Sequence, residues 1–307
     1  MARGSRLLKE WVKVSLRRLP LSDRCFTRIM YLLRQRRILH LTPPRTFGEK
    51  LQWLKLYSST EQYSALADKY AVREYVAKRI GKEYLNELYG VYDRVADIDF
   101  GVFPKAFVLK PTHGSGWIII CHDKSTLDID VTRRRLSHWL TLNYYDAERE
   151  SIYKDIHPKI VCERLLEDNT QNGLTDYKFF CFEGRAKFIQ INYNRRVQES
   201  IKYCDLDWQL LPFHLARYPT DDSNPDKPND SDKMREVVET LAKGVPFVRV
   251  DMFNSNGKII FGEMTFCPGG GFERIVPFGW DFTLGNYLKL PSPHLGNKAK
   301  SPKHRAK

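Results

Sequence analysis

Leu8, Val12, Leu16 and Leu19 recur at helical spacing, with Leu7 and Trp11 beside them and Lys or Arg in between. Apolar positions three and four apart mark one face of a helix. The pattern predicts helix over 7–40, interrupted at Pro20 and resumed by Phe26, Ile29, Met30, Leu32 and Leu33. Such a basic, amphipathic stretch can lie on an anionic membrane surface, or pack on the protein with its charges solvated. Thr42-Pro43-Pro44 breaks the pattern. Thr46 precedes Glu49 by three, a spacing at which each side chain can cap the other's backbone N–H. This predicts a helix over 47–57. A further helix is predicted over 68–80, closed by Gly81.

Beyond residue 104 the period changes. The runs 105–110 and 117–121 are strand-like and flank a glycine turn. Residues 133–143 read as helix. Three more strands are predicted at 159–166, 176–183 and 187–193, the last two joined by the turn Glu183-Gly184-Arg185. Residues 219–233 are polar and rich in Pro, Asp and Asn, which predicts a loop. A helix over 233–244 presents Met234, Val237, Val238 and Leu241 on one face. The runs 247–253 and 258–264 make a last hairpin around Asn254-Ser255-Asn256-Gly257, and Pro268-Gly269-Gly270-Gly271 is a glycine loop. Helices come first, then strands mixed with helices and hairpins. That order predicts an α+β chain with antiparallel sheets.

Composition bounds the class. Hydrophobic residues are 42% of 307, which is enough for a sizeable core and excludes wholesale disorder. No window approaches 18 consecutive apolar residues, so no spanning helix is expected. The first residues lack a continuous apolar run and a small-residue cleavage site, so they do not read as a secretory signal. The net charge of +13 is unevenly placed: 1–40 carry +9, 298–307 carry +5, and the body between carries −1. A nucleic-acid groove would place its Lys and Arg within the fold, so nucleic acid is not an expected partner. None of the six cysteines has CxxC spacing, so neither a zinc ribbon nor a redox dithiol is indicated. Cys162 and Cys181 sit in apolar runs as expected free thiols, which fits a reducing cytoplasm.

Four constellations could carry chemistry. In the first, a strand delivers Lys110 into the turn Pro111-Thr112-His113-Gly114-Ser115-Gly116. Flexible backbone lets N–H groups converge on an anion, and the lysine adds positive charge. The turn is neither a Walker A loop nor a GxGxxG fingerprint. In the second, Arg249 and Asp251 share one strand face by the two-residue period, and Glu263 returns beside them across the hairpin. Two carboxylates there suit Mg²⁺ with phosphate oxygens, and the arginine suits a transferred phosphoryl group. The third is Lys178 near the start of its strand. The fourth is the apolar strand 161–167 ending in acids, which suits a base edge and a ribose. Read locally, Lys110 and Lys178 could equally be surface lysines, and the Arg–Asp–Glu trio an exposed network worth about 1 kcal/mol or less. The apolar flanks of the trio favour function, because charges buried there are costly unless they bind something.

Taken together, these motifs resemble the ATP-grasp superfamily, and within it the TupA-like branch associated with teichuronopeptide and surface-polysaccharide synthesis. The likeness runs from about residue 44 to 285. It rests on PRTFGEKLQWLK (44–55), ADKYAVR (67–73), FVLKPTHGSG (107–116), DYKFFCF (176–182) and PFVRVDMFNSNGKIIFGEMTFCPGGGF (246–272). The resemblance implies two α+β subdomains that clamp ATP, after a helical N-terminal region. With the charge distribution, this divides the chain into a basic helical segment 1–43, an ATP-grasp domain 44–290 and a basic tail 291–307 whose Pro/Lys-rich composition predicts disorder. Lys110 and Lys178 would meet the phosphates, with Lys69 as an upstream ATP lysine. The loop His113, Gly114, Ser115 and Gly116 would close over them. Glu163 and the backbone near Leu165 would meet adenine, and Glu167 or Asp168 the ribose. Arg249 would be catalytic, and Asp251 and Glu263 would hold Mg²⁺.

One position departs from the pattern. Where ATP-grasp ligases usually carry Glu-x-Asn, this chain has Glu263-Met264-Thr265. A threonine hydroxyl is a weaker metal ligand than an amide carbonyl, so a second Mg²⁺ is less expected. The implied reaction is a carboxylate–amine ligation through an acyl phosphate, with ATP and Mg²⁺ as cofactors. The branch implies a uronic acid carboxyl of a surface glycan as one substrate and an amine, such as an amino acid, as the other. Arg195 and Arg196 are candidate contacts to that carboxylate. A lipid-linked precursor would give the basic N-terminus a place on the inner face of the plasma membrane, around a cytoplasmic enzyme. Two other readings stay open: a glycosyltransferase-type enzyme of the same pathway, and an ATP-grasp sugar kinase.

Overall fold

The computed structural model describes residues 19–167, 174–193, 200–218 and 225–291. Among these residues four α-helices precede the first strand: α1 (Asp23–Gln35), α2 (Phe47–Tyr57), α3 (Ser64–Ala67) and α4 (Val72–Arg79). Four more follow: α5 (Ile129–Leu140), α6 (Tyr145–Glu148), α7 (Ser231–Ala242) and α8 (Gly279–Tyr287). The strands are β1 (Leu88–Tyr92), β2 (Phe107–Pro111), β3 (Ile119–Cys121), β4 (Ile160–Arg164), β5 (Asp176–Phe182) and β6 (Arg185–Tyr193). They continue with β7 (Ser200–Cys204), β8 (His214–Leu215), β9 (Phe247–Ser255), β10 (Lys258–Thr265) and β11 (Ile275–Val276).

Among the described residues the strands form two main antiparallel sheets, in the orders β1-β4-β2-β3 and β10-β9-β5-β6-β7, and a two-stranded antiparallel pair of β8 with β11, in line with the α+β expectation. The smaller sheet buries Phe107, Leu109, Ile160 and Cys162 against Leu136 and Trp139 of α5. The larger sheet has two covered faces. Phe179, Cys181, Val248, Val250 and Met252 pack with the apolar stripe Met234, Val237, Val238 and Leu241 of α7. The opposite face sends Phe180, Phe182, Phe188, Tyr203 and Phe247 toward Phe47 and Leu51 of α2 and Leu284 of α8. Alternation along each strand decides which residue goes to which side.

Local signals set the helix ends. Thr46 Oγ1 accepts from the Glu49 N–H at 3.2 Å, and Glu49 Oε2 accepts from the Thr46 N–H at 3.0 Å, so the predicted capping box starts α2. The run 68–80 is shorter than expected: the helix begins at Val72, because Asp68 turns back to accept from the Tyr70 and Ala71 N–H groups. The sequence pattern did not single out β7 or α8. In α1, Phe26, Met30 and Tyr31 are fully buried, so this stretch packs into the body. The predicted helix over 7–18 and the tail beyond 291 lie outside the described residues, as do Asp168, Arg195 and Arg196. Five of the six cysteines are buried free thiols, including Cys162 and Cys181; Cys25 is exposed.

Candidate active site

The larger sheet builds one half of the site. Register places Lys178 of β5 opposite Asp251 of β9, and Asp251 opposite Glu263 of β10. Arg249 lies opposite both Phe180 and Thr265. Side chains on paired positions share a face, so Asp176, Lys178, Arg249, Asp251, Glu263 and Thr265 form one charged row. That row continues the face whose other end is the Phe180–Phe182 aromatic core. A β-bulge at Gly262 makes this possible. Phe261 and Glu263 would otherwise point the same way. The extra residue sends Phe261 into the core under α7 and turns Glu263 to the charged face.

Within the row every charge has a partner. Arg249 Nε donates to Asp251 Oδ1 at 2.6 Å and its Nη2 to Asp251 Oδ2 at 2.7 Å, a two-point fork. The same Nη2 reaches Glu263 Oε1 at 3.2 Å and Thr265 Oγ1 at 3.0 Å. Lys178 Nζ bridges Asp176 Oδ2 and Asp251 Oδ2, each at 2.5 Å. Burial pushes the Asp251 carboxyl up, against the pull of Arg249 and Lys178. Burial also pushes Glu263 up, but Lys69, Arg249 and Lys178 outweigh it and hold that carboxyl at about 2. Burial works against the Arg249 cation, and Asp251 and Glu263 hold its pKa above the ordinary value.

The smaller sheet supplies the other half. Lys110 Nζ pairs with Glu163 Oε2 at 2.8 Å across β2 and β4. On the same face, Val108 lies opposite both Ile120 and Glu163, and Ile118 and Ile120 stand exposed. Lys69 joins the halves: its Nζ donates to the Gly114 carbonyl at 2.5 Å and lies 3.6 Å from Glu263 Oε2. Gly116 has φ +74 with open space where a Cβ would stand, and Ser115 is exposed beside it. His113 is turned inward. It is buried, its Nε2 lies 3.1 Å from the Trp139 carbonyl, and its ring packs edge-on to Trp117. Burial lowers its pKa, so it serves the loop as a neutral strut and offers phosphate no cation.

At the end of the cleft, Leu165 is half-buried and the Glu167 carbonyl accepts from Ser255 Oγ at 2.7 Å. The Glu167 side chain is exposed. Two residues not assigned a role from sequence belong to this site. Asp176 shares Lys178 with Asp251, and the two-residue period of Asp176-Tyr177-Lys178 already placed it on that face. Arg73 of α4 reaches Glu163 Oε1 at 3.7 Å and donates to the Asn86 carbonyl at 2.7 Å. Only its contact across 90 residues of chain reveals it.

The donor set suits Mg²⁺ to the extent of two facing carboxylates, Asp251 and Glu263. Mg²⁺ takes one or two carboxylates and completes its shell with water and phosphate oxygens. The Thr265 hydroxyl is engaged by Arg249 and itself donates to Glu263 Oε1 at 3.1 Å. Among the described residues no group of three or more His, Cys, Asp or Glu is placed to hold an ion without such help.

A cavity of about 180 Å³ opens from Lys178 and Arg249 toward the helices. Phe180, Phe188, Tyr203 and Phe213 form its apolar wall. Gln190 lies opposite Lys178 and Asn192 opposite Asp176 in the β5–β6 register, and Arg217 and Glu273 also line the cavity. Tyr203 Oη donates to Gln190 Oε1 at 3.0 Å, and Gln190 Nε2 donates to Asn192 Oδ1 at 2.8 Å. The strap Pro268–Gly271 closes one side, with Gly269, Gly270 and Gly271 all at positive φ.

Comparison with known proteins bears on this arrangement. A model of the TupA-like ATPgrasp family matches residues 49–289. The chain is similar to the D-alanine–D-alanine ligase of Bacillus anthracis at 13% identity and TM-score 0.38, over 71% of this chain and 59% of that one. It is similar to the D-alanine–D-alanine ligase of Helicobacter pylori at 15% identity and TM-score 0.38, over 78% and 62%. The ATP-grasp ligase PsnB with a minimal precursor gives 9% identity and TM-score 0.37, over 72% and 59%. The chain thus spans about three fifths of the length of these solved proteins. No curated protein matches it. The family model runs through both sheets and every strand of the site, and the chain belongs to the TupA-like ATP-grasp family.

Proposed function

We propose that the protein is an ATP- and Mg²⁺-dependent carboxylate–amine ligase that works through an acyl phosphate. The carboxyl would be a uronic acid of a surface-polysaccharide precursor. The observation that carries the reading is the buried row Lys178, Asp251, Arg249 and Glu263 on one sheet, with Lys69 tying it to the glycine loop of the other. Burying such a row is costly even with each charge paired, and a charged ligand that shares it would offset that cost. A nucleotide triphosphate with its metal would do so.

In this reading the exposed Ile118 and Ile120, with Val108, receive the base, and Glu163 its polar edge. Lys110 leaves Glu163 to meet the phosphates, joined there by Lys178. Asp251 and Glu263 would hold Mg²⁺, which when bound neutralises phosphate oxygens. Arg249 stabilises the charge of the phosphoryl group as it passes to the acid. The loop 113–116 covers the acyl phosphate against hydrolysis. The amine then forms the C–N bond and phosphate leaves. The +9 charge of residues 1–40 suits attachment to an anionic inner membrane face. No helix among the described residues is long and apolar enough to cross a membrane.

Calorimetry with Mg–ATP is the test. Binding to the intact protein should collapse in Lys110→Ala and in Asp251→Asn/Glu263→Gln. An intact protein that binds no Mg–ATP would sink the proposal. ADP release from uronic acids without need of an amine would replace ligation by sugar phosphorylation.

A further inference from the structure

We propose that Arg217 and Glu273 form the amine-substrate site and select an α-amino acid, Arg217 taking its carboxylate and Glu273 its amino group. The inference rests on the ligase reading and adds to it the residues that would hold the amine and distinguish an α-amino acid from an amino sugar. Arg217 Nη2 lies 2.7 Å from Glu273 Oε1. The pair lines the same cavity as Lys178 and Arg249. A cation and an anion side by side match a zwitterion, whose two charges can each replace the partner of the opposite sign. A guanidinium also offers a carboxylate two parallel N–H donors.

The two members sit at different depths. The Arg217 side chain is 59% exposed and that of Glu273 only 18%. A zwitterion seated here places its amine inward, toward Arg249 and the row that activates the acid. Its own carboxylate stays at the mouth, away from the phosphoryl group. Glu273 is fixed by its backbone, whose carbonyl accepts from Gln35 Nε2 at 2.6 Å, and by the strap that precedes it. Its Cγ would meet any Cβ added at Gly269 at 2.3 Å, so the glycine makes room for the carboxylate arm.

Size and wall chemistry agree. A cavity of about 150 Å³ holds one benzene, so about 180 Å³ has room for one small molecule. The aromatic wall suits an apolar or flat side chain, and the Gln190 and Asn192 amides a polar tip. An amino sugar carries an amine but no carboxylate, and it would leave Arg217 unanswered.

Calorimetry on the full chain without nucleotide tests this. The probes are the common L-α-amino acids, glucosamine, and ethanolamine as serine without its carboxylate. At least one amino acid should bind saturably. Arg217→Gln and Glu273→Gln should each weaken it tenfold or more, the range of one lost charge-assisted hydrogen bond. Arg217→Lys, which keeps the charge but not the fork, should recover part of the loss. Arg217 is exposed, so its variants fold. Binding of glucosamine but no amino acid, no binding of any amino acid, or amino-acid binding indifferent to Arg217→Gln would each overturn the proposal. Loss of Mg–ATP binding alone, with amino-acid binding intact, would count against the ligase reading and leave the pocket standing.

Discussion

Arg249 makes four hydrogen bonds to three residues on two strands, and its geometry cannot be supplied by charge alone. Arg249→Lys keeps the cation and loses the fork. We expect kcat to fall at least a hundredfold, about 3 kcal/mol of transition-state stabilisation, with Mg–ATP affinity changed far less; equal losses in both would place Arg249 on the nucleotide rather than the transferred group. Glu150 behaves oppositely. Burial, reinforced by Glu148 against the pull of Lys55, raises its carboxyl from 4.5 to about 8. Its folded pKa exceeds the unfolded one, so its contribution is complete below pH 4.5 and is lost as pH rises through about 8. Glu150→Gln should therefore be more stabilising at pH 9 than at pH 4, read by denaturant titration at both. Residues such as Lys110, Lys178 and Asp251 were legible in the sequence because a strand period and a turn announce them. Arg73, Arg217 and Glu273 were not, because their meaning comes from partners far along the chain.

At the scale of elements, the site hangs on small irregularities. The Gly262 bulge aims Glu263, and a Cβ there would meet the Asp251 carbonyl oxygen and the Phe253 ring at 3.0 Å each. Gly262→Ala should abolish Mg-dependent ATP binding while the circular dichroism spectrum is retained. Preserved binding would show that the bulge is not what orients Glu263. Gly116→Ala should slow turnover with little loss of ATP affinity, because alanine resists φ +74 and the strain of about 1 kcal/mol falls on the loop. Elements with a local code were read correctly: the capping box fixed α2 at Phe47–Tyr57, and the Asn-Gly turn fixed the β9–β10 hairpin. The helix α8, with sequence GWDFTLGNY, carries two glycines and little amphipathic pattern. Poor intrinsic propensity left it unread, and packing of Leu284 with the Asp281 bond to the Gly48 N–H holds it.

For the whole molecule, the N-terminal boundary is the informative feature. Sequence texture suggested one basic segment to residue 43. Burial of Phe26, Met30, Tyr31, Leu39 and Leu41 ties the stretch after Pro20 to the body. Removing residues 1–18 should leave the fold intact and, on the attachment proposal, move the protein from membrane to soluble fraction. Removing residues 1–35 should cost the fold itself, since fully burying each large apolar side chain contributes about 2 kcal/mol. Unchanged fractionation of the shorter deletion would end the attachment idea. The antiparallel sheets were legible because strand-like runs and turn signals follow one another along the second half of the chain. Which helices cover which face was not, because at the Phe179–Phe182 end of β5 and the Phe247–Val248 end of β9 both faces are apolar and buried.

Lys69 is a single flexible arm with its tip on the Gly114 carbonyl and beside Glu263. Viewed mechanically, it is a latch between two jaws. Any movement that lifts the loop off the larger sheet must let go of one end of it. Product escape is thereby yoked to a change in the charge felt by Glu263, the carboxylate that Lys69 does most to keep ionised. On the ligase reading, opening the jaws would also loosen the grip on the metal, so that spent nucleotide would leave together with its ion.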